Sequence, residues 1–246
     1  MARRIDPIFG IQTPILFAHR GGAKEAPEST QAGFQHAIDS GTEVLELDVQ
    51  LTRDEEMVVW HGPKLDNVRL AIDDNSRTRT NVNEYDWGEL KDKAWVMHPE
   101  NGETLQTVPQ HPSRLLLTLE EFLAMYPNAK LTVEMKEHFT PTHLDRFIDI
   151  LNNGSPDRVK VVASSRNETL LNVFREKTGG RFATNLPLYS LMKSRVSAAF
   201  GTLRNQFLYN RAFELPHPRL LAPRTMIEQV RDATGCSYLP DTYPAC

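Results

Sequence analysis

The chain has 246 residues, of which 40% are hydrophobic and 24% charged, and its 28 basic and 32 acidic side chains give a formal net charge of −4. This composition excludes a disordered chain, and the weak negative charge gives no general attraction to nucleic acid or to an anionic membrane. Its two cysteines, Cys236 and Cys246, exclude a disulfide framework and a cysteine-based zinc site. No apolar run approaches the ~20 residues of a membrane span, so the sequence predicts a cytoplasmic protein without a transmembrane segment.

Short apolar strands alternate with helices along most of the chain. Residues 14–18 predict a buried strand that ends at His19, and Ser29 or Thr30 can cap a helix that stops near Gly41. Further strands are predicted at 43–50, 57–60, 131–136, 159–163, 182–184 and 213–215, and further helices at 119–126, 141–152, 168–177 and 223–233. This alternation favours an α/β fold with a mostly parallel sheet.

Residues 62–114 interrupt the alternation with a polar, turn-rich sequence. We interpret this stretch as an insertion with little regular structure apart from one helix at 87–91. Long excursions of this kind in a compact domain are usually either functional or disordered.

Three carboxylates lie on the polar faces of two predicted strands. Because side chains alternate along a strand, Glu46 and Asp48 share one face, about 7 Å apart at their Cα atoms. Glu134 lies on the polar face of the strand at 131–136. Three carboxylates without cysteine indicate a site for Mg²⁺ or Ca²⁺ rather than structural zinc. The alternative is the exposed polar face of an antiparallel edge strand, but the matching pattern in the second strand favours the metal site.

Two histidines follow apolar runs at the ends of predicted strands. His19 and His61 therefore point to a general acid and a general base, because active sites of barrels gather at the carboxyl ends of their strands. Arg20, next to His19, has the planar guanidinium group that binds phosphate through two hydrogen bonds.

A series of short motifs follows in order and with appropriate spacing along the chain. The motifs are Ala18-His-Arg-Gly-Gly-Ala23, Pro27-Glu-Ser-Thr30, Phe34…Ala37…Gly41, Glu46-Leu-Asp48, Leu51-Thr-Arg-Asp54, Val58-Val-Trp-His61 and Glu134-Met-Lys136. Together they resemble the glycerophosphodiester phosphodiesterases. The resemblance is close from residue 15 to 62, returns at 115–136 and continues more loosely at 159–178.

The resemblance implies a TIM (β/α) barrel of the phospholipase-C-like phosphodiesterase type over residues 1–246, with 62–114 as a small insertion near the mouth of the site. It implies hydrolysis of a small glycerophosphodiester to sn-glycerol 3-phosphate and an alcohol, assisted by one divalent cation, Mg²⁺ or Ca²⁺. The implied roles are metal binding by Glu46, Asp48 and Glu134, acid–base catalysis by His19 and His61, phosphoryl binding by Arg20 and Lys136, and orientation of Arg20 or contact with the glycerol end by Glu28.

The sequence departs from the family pattern at three places. Gly62 follows His61 where the family usually has Asp, and Ser29 replaces the Asn usual in its motif. After Gly235 the motifs of the last two strands are absent, which predicts a barrel without those strands. Its open edge would either lead to self-association or be partly covered by residues 235–246. These departures keep an inactive remnant that binds a phosphodiester or a partner as an alternative. A sphingomyelinase-D-like enzyme is a second alternative, which Glu134-x-Lys136 disfavours.

Overall fold

The chain divides into two compact units, a first unit of Leu16–Arg158 and a second unit of Met1–Ile15 with Val159–Cys246. The structure, a computed structural model, describes residues 5, 8–12, 15–70, 79–153 and 160–185 and the strand backbone at 211–212, 214–215 and 239–240. The predicted helix at 223–233 and the predicted loss of the last two strands lie outside the described residues.

A parallel sheet forms the centre of the first unit. The strands of the first unit are β1 (Phe17–His19), β2 (Val44–Leu51), β3 (Met57–Val59), β4 (Val68–Leu70), β5 (Ala94–Val96) and β6 (Leu131–Met135). The helices of this unit are α1 (Gln31–Asp39), α2 (Trp87–Leu90), α3 (Leu119–Met125) and α4 (Leu144–Asn153). Short 3-10 turns occur at Val82–Glu84, Pro99–Asn101, Pro112–Arg114 and Pro141–His143. Strands β1 and β6 flank β2 in parallel, and β3 pairs with the end of β2 in the antiparallel sense.

Strand β2 is therefore central, and the interpretation of its polar residues as an exposed edge is wrong. Leu45, Leu47 and Val49 are at most 2% exposed on one face. On the opposite face Asp48 is 1% exposed, and β1 and β6 pair with β2 on either side. The alternation predicted from the sequence thus places a carboxylate in the protein interior.

The loop between β1 and α1 packs tightly against the helix. Thr30 caps α1, as one of the two predicted caps, by accepting a hydrogen bond from Gly33 N at 3.1 Å. Gly21 has φ +77°, and a Cβ at this position would lie 2.9 Å from Phe34 N. Only glycine fits such an approach, so the backbone that follows His19 is held in one place.

The predicted insertion has more regular structure than expected. Helix α2 occurs at the expected place, but β4 and β5 also form an antiparallel pair in which Val68 lies opposite Val96. Both strands lie within the polar, turn-rich stretch, whose composition is typical of a loop, which explains why the sequence did not reveal them. The pair contributes Val68, Ala94 and Val96 to a cluster of buried side chains. The other members are Val58, Trp60, Leu65, Val82, Tyr85, Leu90 and Leu116.

The second unit contains parallel strands as the sequence predicts. Strands β7 (Val161–Ser164), β8 (Ala183–Asn185) and β9 (Arg211–Ala212) pair in this order, α5 (Glu168–Thr178) joins β7 to β8, and β10 (Glu214–Leu215) pairs with β11 (Leu239–Pro240). Helix α5 ends at Gly179, which has φ +60°. Within the described ranges no helix is both long enough and apolar enough to cross a membrane.

Candidate active site

The parallel register of β2 and β6 brings the three predicted carboxylates together. Asp48 lies opposite Glu134, and Glu46 precedes Asp48 by two residues on the same face. One oxygen atom from each of the three side chains lies within 4.8 Å of the other two. Since oxygen ligands lie about 2.0–2.6 Å from Mg²⁺ or Ca²⁺, this spacing suits three ligands of one ion.

An unsatisfied oxygen atom on Asp48 also fits a cation. Oδ2 of this buried side chain accepts no hydrogen bond from the described residues. Arg20 Nε lies 3.4 Å from Asp48 Oδ2, which is within ion-pair range, but the two atoms form no hydrogen bond. A buried anionic oxygen is costly unless it is paired or binds a metal, so the donor set suits a divalent cation.

Two basic side chains lie among the carboxylates. Lys136 Nζ is 2.7 Å from Asp48 Oδ1 and 2.9 Å from Glu134 Oε2. Burial lowers the pKa of Lys136, but the charges of Asp48 and Glu134 outweigh it and hold this pKa above its ordinary value. Arg20 Nη1 donates to Glu28 Oε2 at 3.1 Å. The structure thus brings Arg20, Lys136 and Glu28 to the carboxylates, where both cations offset negative charge.

The backbone of Arg20 adopts a strained conformation at this point. Its φ of +53° is unfavourable for a side chain other than glycine. Its N–H donates to Glu46 Oε2 at 2.9 Å, and its carbonyl accepts from Ser29 N at 2.9 Å. Ser29 itself has φ +58°, a conformation that Asn tolerates better. These bonds hold the turn after β1 against the carboxylates.

His19 lies at the carboxyl end of β1, opposite Glu46. Burial, helped by the charges of Arg20 and Lys136 and opposed by that of Glu134, lowers its pKa to about 4. His19 is therefore neutral near pH 7, the form that can accept a proton.

The lowered pKa of His19 predicts a pH-dependent stability. The unfolded chain binds a proton near pH 6.5 but the folded protein only near pH 4. The stability that neutral His19 contributes is therefore present above about pH 6.5 and is lost as the pH falls towards 4, on the order of 2–3 kcal/mol. In chemical unfolding with EDTA present, H19Q will lose less stability over this range than the wild type. The exposed His36 gives a matched control, H36Q, and equal losses in H19Q and wild type would contradict the prediction.

His61 follows β3 and reaches the same region from another strand. Trp60 N donates to Asp48 O at 3.0 Å, which ties the end of this strand to β2. His61 lines a cleft of about 320 Å³ together with Arg20, Glu28, Trp60, Gly62, Pro63, Lys64, Asp66 and Asn67. The structure therefore gathers His61, Arg20 and Glu28 around one opening.

Two buried polar residues on the site's strands were not singled out from the sequence. Gln50 and Thr132 are 1% and 3% exposed, and Gln50 Nε2 and Thr132 Oγ1 find no hydrogen-bond partner among the described residues. Both occupy the polar faces that carry Asp48 and Glu134, so extending the same alternation by one step would have found them.

Comparisons with curated proteins find relatives over part of the chain. A glycerophosphodiester phosphodiesterase of Bacillus altitudinis is 34% identical over 136 residues, which cover 50% of this chain and 53% of the relative. A lysophospholipase D of Homo sapiens is 25% identical over 216 residues, which cover 85% of this chain and 64% of the relative. The chain thus spans about half to two thirds of the length of these relatives.

Solved structures establish the fold. A glycerophosphodiester phosphodiesterase of Agrobacterium tumefaciens superposes with a TM-score of 0.66 at 18% identity, covering 92% of this chain and 85% of that one. A phosphodiesterase of Oleispira antarctica, solved with the product sn-glycerol 3-phosphate, has a TM-score of 0.66 at 21% identity and covers 94% and 85%. The predicted fold class is confirmed as the α/β TIM barrel of these proteins.

The family follows from the sequence match, which runs from the first site histidine into the second unit. Residues 19–212 match the glycerophosphoryl diester phosphodiesterase family, a range that holds every site residue described above. This chain belongs to the glycerophosphoryl diester phosphodiesterase family.

Proposed function

We propose that the protein hydrolyses glycerophosphodiesters to sn-glycerol 3-phosphate and an alcohol, with one divalent cation, Mg²⁺ or Ca²⁺. The observation that carries the proposal is the convergence of oxygen atoms of Glu46, Asp48 and Glu134 within 4.8 Å, with Lys136 and Arg20 beside them. Membership of the family and the names of its relatives support the same substrate class.

In this proposal, Glu46, Asp48 and Glu134 hold the cation. The cation, when bound, neutralises phosphoryl oxygens and stabilises the charge that develops in the transition state. Arg20 would bind the same anionic group through its planar guanidinium group. Glu28 orients this group, since its Oε2 lies 3.1 Å from Arg20 Nη1. Lys136, whose raised pKa keeps it charged next to the carboxylates, would bind phosphoryl oxygens together with Arg20.

The two histidines would move protons on opposite sides of the phosphorus. His19 is neutral near pH 7 and lies beside Glu46, so it would take the proton from the attacking oxygen. His61, at the cleft with Arg20, would donate a proton to the oxygen of the departing alcohol. The attacking oxygen belongs either to water or to the glycerol hydroxyl of the substrate, and both routes end in sn-glycerol 3-phosphate after hydrolysis.

Release of sn-glycerol 3-phosphate from glycerophosphocholine tests the proposal. The EDTA-treated protein will be inactive, and Mg²⁺ or Ca²⁺ will restore turnover, with the preferred ion identified by titration. A parallel assay of choline release from sphingomyelin addresses the sphingomyelinase-D-like alternative. Absence of metal-stimulated release from glycerophosphocholine, in protein shown to be folded by circular dichroism, would contradict the proposal and favour a non-catalytic remnant.

A further inference from the structure

The cleft beside His61 is lined both by candidate site residues and by the loop that follows this histidine. Arg20, Glu28 and His61 belong to the first group, and Gly62, Pro63, Lys64, Asp66 and Asn67 belong to the second. Its volume of about 320 Å³ is at the lower end of ligand pockets, which span about 300–1,000 Å³. We propose that this cleft binds the alcohol group of the substrate as a small polar head group, and that Gly62 sets the size that it accepts.

The proposal rests on the proposed function, because it places the departing alcohol next to its proton donor. A proton donor must lie within hydrogen-bond reach of the oxygen that it protonates. The rest of the alcohol then extends away from the phosphoryl group. Arg20, His61 and Gly62 line the same cleft, so an alcohol that receives its proton from His61 would lie near Gly62.

The wall of the cleft is held by hydrogen bonds to its backbone. Trp60 Nε1 donates to Lys64 O at 2.8 Å, and Pro63 O accepts from Val82 N at 2.8 Å. Leu65 N donates to Thr80 O at 2.9 Å. Because these bonds tie the start of the small insertion to Trp60 and to later residues of the insertion, a side chain added at position 62 would fill the cleft rather than displace its wall.

Gly62 leaves open space in the lining of the cleft. It has φ +78°, and a Cβ built on it would meet no atom within 4 Å. An added side chain would therefore project into space that a ligand can use. The positive φ restricts the replacements, because only Asn, Asp and Gly adopt it at small cost.

The lining combines charged side chains with apolar surface. Arg20 pairs with Glu28, and the exposed Lys64 and Asp66 carry opposite charges, so the formal charges of these four side chains cancel. Trp60 and Pro63 line the same cleft. Such a lining suits a small alcohol such as choline, whose charged nitrogen carries methyl groups, or glycerol, better than a long acyl chain.

Two substrates that differ only in the alcohol test the inference. Glycerophosphocholine would occupy the cleft, whereas glycerophosphomethanol has too small an alcohol to reach it. We expect G62N to lower kcat/KM for the choline ester by about 10–100-fold relative to the methyl ester. The matched control is G102N, since Gly102 also has a positive φ of +75° and open space around its Cβ but lies outside the cleft.

A binding measurement separates this inference from the proposed function. In the slowed H19A background with the cation present, calorimetry will give weaker affinity for glycerophosphocholine, but not for glycerophosphomethanol, when G62N is added. A choline-to-methyl ratio within twofold of wild type in both measurements would overturn the inference and leave the proposed function intact. If wild type hydrolyses neither ester, the proposed function fails. The affinities of wild type and G62N for glycerophosphocholine and glycerophosphomethanol then test by themselves whether the cleft binds the alcohol.

Discussion

Replacing Glu134 by Gln will lower kcat/KM for glycerophosphocholine by at least about 100-fold at a fixed concentration of Mg²⁺ or Ca²⁺. Removal of a group that only orients a metal ligand typically costs 10–100-fold in metal affinity or activity, and loss of an anionic ligand should cost more. The fold will survive, because Glu134 is partly exposed and Lys136 keeps its 2.7 Å contact with Asp48. Raising the cation concentration will recover part of the activity.

Calorimetric titration of the cation into the E134Q protein measures the same loss as weaker metal binding, independently of turnover. E137Q is the matched control, because Glu137 is the next acidic residue along the chain, is exposed, and lies outside the carboxylate cluster. If E134Q retained both its metal affinity and its activity, Glu134 would be no ligand and its ion pair with Lys136 would be only structural.

Replacing His61 by Ala will lower kcat for glycerophosphocholine by about 10²–10⁴-fold, the usual contribution of a general acid or base. The cost will fall on kcat more than on KM, because proton donation stabilises the transition state. H19A will show a loss of the same order. H36A, which changes an exposed histidine on α1, will leave kcat close to wild type.

A substrate with a better leaving group separates the two roles. The p-nitrophenyl ester of glycerol phosphate expels an anion that needs little protonation. H61A will therefore recover most of its rate on this ester, whereas H19A will remain slow because the attacking oxygen still has to lose its proton. An equal deficit of H61A on both substrates would contradict the assignment of His61 as the acid, and an unchanged rate on glycerophosphocholine would make it merely structural.

Local sequence patterns predicted most of the described elements within a few residues. The alternation in β2 and β6 and the Thr30 cap of α1 depend on near neighbours in the chain, so they are readable without a partner. The strands β4 and β5 were missed because they lie in a polar, turn-rich stretch typical of a loop, and each pairs with the other rather than with a neighbour in the predicted sheet. The central position of β2, which excluded an exposed edge, likewise depended on β1 and β6.

The sequence by itself determined the family, the fold class and the types of residue at the candidate site, because motifs such as His19-Arg20 and Glu46-x-Asp48 are local. Only the tertiary structure decided which oxygen atoms converge within 4.8 Å, since Glu46 and Glu134 meet through strand register across a long stretch of chain. It alone placed Lys136 between two carboxylates and lowered the pKa of His19 to about 4. Burial and charge act through space rather than along the chain, so no local pattern encodes them.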